Sequence, residues 1–195
     1  MAINTSLYTI KSILILDSEA KRLFVKYFKG PHNPNKEEVD LSSITYNEKK
    51  QLSFESNLFQ KTHKSNSDII LFENQIVVYK EFADVVVYVT GDLNENEVLL
   101  YNALQGLTGA LEIVIKSSMD KRLLQENYDM VSLTVDETVD DGIILETDPA
   151  AIASRVTKPP TEDITNIKLD LNEKTLFSAF NFARNKLSER IQQGF

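Results

Sequence analysis

Apolar residues follow two rhythms along this chain. Residues 10–16, Ile-Lys-Ser-Ile-Leu-Ile-Leu, are rich in β-branched side chains and predict a mostly buried strand. A polar turn at 17–21 leads to a second strand over 23–28, so the two form a hairpin. Pro31 and Pro34 then break regular structure and open a polar connection that runs to about Ser43. Residues 46–62 have helical character. Their apolar positions form two pairs, Phe54/Leu58 and Leu52/Phe59, roughly 110–130° apart at a helical turn of about 100° per residue. One pair is expected to face a sheet and the other to lie partly exposed at its margin. Strand-like runs at 68–72, 75–80 and 85–90, joined by short turns, predict an antiparallel meander.

The second half switches to helical spacing. Asn94 is placed to cap a helix beginning at Glu95, with Glu97 at its third position. Leu100, Leu104, Leu107, Leu111 and Val114 recur at steps of 4, 3, 4 and 3, beside a second stripe of Leu99, Ala103, Ala110 and Ile113. This arc covers about half the circumference, more than one sheet face needs. Such a helix is wedged between layers or meets a partner. Gly106 and Gly109 lower helix propensity and suit close backbone approach. Residues 119–139 predict a further helix ended by Gly142, followed by a short extended piece at 143–146. Asp148 and Pro149 start another helix over 150–156, Asp as cap and Pro in the first turn. Lys158-Pro159-Pro160 marks a boundary. Beyond it lie a polar linker over 161–172 and an amphipathic helix carrying Leu176, Phe180, Ala183, Leu187 and Ile191. The expected organisation is an α+β domain over 1–156, a five-stranded antiparallel sheet with helices on both faces, then a linker and helical tail over 157–195.

Composition narrows the chemistry. Cysteine is absent, so there is no disulfide framework, thiolate nucleophile or Cys-built zinc site. The only histidines are His32 and His63, too few for a three-His site. The formal charge of −8 argues against a general nucleic-acid binder. The N-terminus lacks a basic region followed by a long apolar run, so a soluble cytoplasmic protein is expected. Its glycines form neither a P-loop nor a dinucleotide fingerprint. The acidic run from Asp136 to Gly142 does not fit a calcium loop: aligned on Gly142, it places Glu137, Val139 and Asp148 where Asp, an oxygen ligand and Glu belong. No catalytic residue, cofactor site or metal site is expected. Lys61, His63 and Lys64 form a basic helix end that complements the helix dipole or contacts an anionic headgroup. Leu52, Phe59, Leu99 and Ile113 are the candidates for a partner interface.

The element order, a strand pair, a helix, a three-strand meander and then two long helices, resembles a longin-like domain. Val77-Val78-Tyr79-Lys80, with a strand soon after, resembles the sigma chains of clathrin adaptors. Other strings resemble the coatomer zeta subunits: Lys11 to Asp17, Arg22-Leu23-Phe24, Lys61-Thr62-His63-Lys64, Tyr88-Val89-Thr90-Gly91, and the long string from Val135 to Pro149. They keep order and spacing over residues 8 to 156. Val85-Val86-Val87 departs from the sigma pattern, so sigma-type cargo recognition is not supported. The loop over 30–44 is longer than expected for the family. The resemblance implies a non-enzymatic subunit of the COPI coat. It would sit against the helical-repeat trunk of the gamma subunit in a heptamer that an Arf-family GTPase recruits to Golgi membranes, for Golgi-to-ER and intra-Golgi transport. The alternatives are another longin-type trafficking role: a sigma chain, a SNARE regulatory domain or a tether subunit.

Overall fold

The computed structural model describes residues 6–28, 47–63, 65 and 67–158. The opening hairpin is β1 (Ile10–Asp17) and β2 (Arg22–Tyr27). The meander is β3 (Ile69–Phe72), β4 (Gln75–Glu81) and β5 (Val85–Asp92). Together they make one antiparallel sheet in the order β2-β1-β5-β4-β3. The two-residue period divides the side chains cleanly. Ile13, Ile15, Ile76, Val78, Val87 and Val89 enter the core on one face. Leu14, Leu16, Val77, Tyr79, Val86 and Tyr88 enter the core on the other.

Helix α1 (Glu48–Thr62) covers the second face, capped by Asn47 Oδ1, which accepts from Lys50 N at 3.2 Å. Phe54 and Leu58 point into the sheet as expected. The marginal pair behaves differently: Phe59 is buried, whereas Leu52 is exposed. Seven residues separate them, about 10 Å along the helix axis. Phe59 lies over the sheet, and its ring stacks on His63 with centroids 5.0 Å apart.

Helix α2 (Glu97–Ile115) lies on the first face. It starts two residues later than predicted. Asn96 Oδ1 accepts from Val98 N at 2.9 Å, while Asn94 stays in the preceding turn and donates its backbone N–H to Asp92 Oδ1. Its length and composition would suit a membrane span, but its inner side is buried in the domain core. The helix predicted over 119–139 is two helices, α3 (Lys121–Glu126) and α4 (Tyr128–Thr138). Asn127 separates them at φ −117° and ψ 35°, its Nδ2 donating to Leu123 O at 2.9 Å. That side chain shares the carbonyl with Asn127's own backbone N–H, which donates at 3.0 Å, and so ties the end of α3 locally.

Gly142 does not end a helix. It turns a small hairpin, β6 (Val139–Asp140) with β7 (Ile143–Ile144), in which Asp141 and Gly142 both have positive φ, 46° and 84°. Such a pair of left-handed residues fits a tight two-residue hairpin turn. Ile10 N donates to Gly142 O at 3.0 Å, which pins this hairpin to β1.

Helix α5 (Pro149–Thr157) is capped as predicted, with Ala150 N donating to Asp148 Oδ1 at 3.1 Å. The segment entering α5 packs directly on α2. A Cβ at Gly106 would stand 2.5 Å from Thr147 O, and one at Gly109 2.9 Å from Pro149 Cγ. The wide apolar arc of α2 is therefore largely absorbed by the chain itself, with the sheet on one side and α4 and α5 on the other. The loop over 30–44 and the tail beyond 158 lie outside the described residues.

Candidate partner surfaces

The buried charged groups hold the fold. Arg22 Nε and Nη2 donate to the two oxygens of Glu55 at 2.6 and 2.8 Å, and Tyr27 OH donates to Glu55 Oε1 at 2.8 Å. This clamp fastens α1 to β2. Burial, then the adjacent Glu55 charge, holds the Tyr27 hydroxyl above the usual phenol range. Hydrogen bonding to Glu55 is the chief cause that raises the Arg22 guanidinium further. The signal for this clamp was an acid, Glu55, on the apolar arc between Phe54 and Leu58; its partner lies in another element.

A second knot forms around Asp17. Burial alone would raise its carboxyl. Lys121 Nζ at 2.7 Å, with the backbone N–H groups of Lys21 and Glu19, outweighs that and holds it below the usual range. Lys121 N also donates to Asp84 Oδ1 at 3.1 Å, so the start of α3 gathers the β1–β2 and β4–β5 turns. Ser12 with Thr90, and Thr62 with Tyr88, are buried hydroxyl pairs at 2.8 Å.

The basic helix end is partly engaged internally. Lys61 Nζ lies 5.6 Å above the Phe72 ring and His63 stacks on Phe59. Lys64 lies outside the described residues.

The structure does not assemble the four partner candidates into one face. Phe59 is 8% exposed and belongs to the core beneath α1, so a partner cannot reach it without lifting the helix. Leu52 is 48% exposed, but on the opposite side of the sheet from Leu99 and Ile113, at 38% and 49%. Leu99, Gly106 and Ile113 fall seven residues apart on one stripe of α2. Thr147 covers its middle at Gly106, leaving the two ends outward. Other large apolar side chains are exposed where sequence periodicity gave no warning: Ile69 and Leu71 on the edge strand β3, Leu133 on α4, and Leu145 after β7.

Residues 9–162 match the family model described as the clathrin adaptor complex small chain. Over 190 residues the chain is 45% identical to coatomer subunit zeta of Saccharomyces cerevisiae, covering 97% of each chain. The chain belongs to the coatomer zeta family. It is also similar to coatomer subunit zeta-1 of Oryza sativa, 37% identical over 94% of this chain and 96% of that one. With coatomer subunit zeta-1 of Homo sapiens it shares 40% identity over 80% of this chain and 81% of that one. In this zeta-family chain, the strings that carried the resemblance sit at structural joints. Arg22 holds Glu55, Gly142 docks the small hairpin on β1, and Asp148 caps the helix that packs on α2.

Proposed function

We propose that this chain is the small, non-enzymatic subunit of a COPI-type vesicle coat. Its role is to complete and stabilise a large helical-repeat subunit of the gamma type. The observation that carries this reading is the 45% identity to yeast coatomer subunit zeta over nearly the whole of both chains. The chemistry of the domain supports it. Two buried carboxylates, Asp17 and Glu55, are committed to structural ion pairs, and α2 leaves apolar side chains outward at both ends.

In this reading the chain is cytoplasmic and meets Golgi membranes and coated vesicles only through the assembled coat, which an Arf-family GTPase recruits. Partner contact is assigned to the outward ends of α2, at Leu99 and Ile113. Affinity purification of the full chain tests the proposal directly. The other coatomer subunits are expected in stoichiometric amounts, with the gamma-type subunit retained most firmly under mild dissociation. Recovery of the chain alone, or with the large subunits of a clathrin adaptor, would refute it.

A further inference from the structure

Helix α4 presents an arrangement that neither the fold nor the proposed partner contact explains. Its Leu133 is about half exposed, and Asp129, Asp136 and Glu137 stand three or four positions away, so they flank it on the helix surface. Leu145, equally exposed, follows the small hairpin beyond the helix end, its amide donating to Thr138 O at 2.9 Å. Between residues 127 and 154 the chain has seven Asp or Glu and no Lys or Arg. Two bases from other segments answer part of that charge: Lys26 meets Asp136 at 2.6 Å, and Arg155 reaches Glu137 and Glu146 at 3.8 and 3.3 Å. Asp129, Asp140 and Asp141 have no ion-pair partner among the described residues.

We infer that the outer face of α4 around Leu133 is a docking surface for an amphipathic helix of a partner protein whose polar side is rich in Lys or Arg. An exposed leucine among carboxylates has the form of an interface anchor with a polar rim, where apolar burial supplies affinity and charge selects the partner. The sign of the charge favours a basic protein segment over an anionic membrane, which this face would repel.

Fluorescence anisotropy tests the assignment. The probe is a labelled peptide with leucines on one helical face and lysines on the other, titrated with the full chain. Saturable binding that weakens with salt is expected, with a loss of roughly tenfold in Leu133→Ser and in Asp129→Lys. Leu133→Met is expected to bind as the parent does, and circular dichroism to show all three variants folded, since each change is on the surface. Equal binding of a glutamate-for-lysine peptide would overturn the proposal. So would unchanged affinity in Leu133→Ser, binding to anionic vesicles through the same residues, or a Leu133-dependent dimer of the chain.

Discussion

Arg22 and Glu55 meet across the gap between the edge strand β2 and helix α1, in a two-pronged contact of 2.6 and 2.8 Å. The carboxylate is almost wholly buried while the guanidinium keeps some access to water. Removing the base therefore strands a buried negative charge, with Tyr27 OH as its main remaining donor. Arg22→Ala is expected to cost stability toward the lower end of the roughly 3–5 kcal/mol typical of breaking a buried pair. Replacing both partners with apolar residues, Arg22→Met with Glu55→Leu, is expected to cost less than either single change, because no charge is then left alone. Urea denaturation of the parent, Arg22→Met, Glu55→Leu and the double variant gives the coupling. Additive losses would show that the two side chains act independently.

The knot at Asp17 makes stability depend on acid. Burial disfavours its charge, but Lys121 and two backbone amides hold the folded-state carboxyl below its ordinary value. An unfolded Asp titrates at about 3.9. The contribution of this group is therefore fully present above that pH, and it is lost as pH falls through the lower folded-state value. Asp17→Asn is expected to be less stable at neutral pH and to show a shallower fall in stability below about pH 4. Thermal melts across pH 2–7 test this; an unchanged acid limb in the variant would remove Asp17 from the account.

Much of this architecture is legible in the sequence, and the reasons for the failures are physical. The five strands declare themselves because a two-residue period needs only local residues to be read. Asp148-Pro149 marks α5 for the same reason. The start of α2 was misplaced because Asn94 and Asn96 are equally good caps and tertiary position chooses between them. At the Asn127 break the side chain and the backbone N–H share Leu123 O, a feature that leaves no periodic trace. The role of Glu55 leaves no local trace, because its partner Arg22 lies 33 residues away. The excess apolar arc of α2 was real, yet α5 and the segment before it take up most of it. Of that second stripe, Leu99 and Ile113 are left outward for an external partner.

Gly106 supplies a sign reversal. Within an exposed helix, Gly→Ala ordinarily stabilises by about 1 kcal/mol. Here the new methyl would lie 2.5 Å from Thr147 O, a backbone atom held in place by the α5 cap. Gly106→Ala is expected to destabilise instead, by about 1–3 kcal/mol, as overpacking does. Differential scanning calorimetry would register a lower Tm; a higher one would mean that the 146–149 segment yields freely.

The partner surface can be separated from the core by where the candidate residues stand. Phe59 lies beneath α1, beside Phe54 and Leu58, so placing a charge there attacks the fold itself. Phe59→Asp is expected to abolish folding and, with it, every interaction. Leu99 and Ile113 are outward on α2, so Asp at either position leaves the domain folded, with a stability change of a few tenths of a kcal/mol. If the outward ends of α2 meet the large subunit, both single changes release the chain from the complex and the double change does so completely. Leu52 lies across the sheet, and Leu52→Asp is expected to leave binding intact. Co-purification of the five variants with the large subunit, each checked by circular dichroism, distinguishes the cases. Loss of binding in Leu52→Asp together with the α2 variants would mean that the partner wraps both faces of the sheet. Loss in Leu52→Asp alone would move the interface to α1.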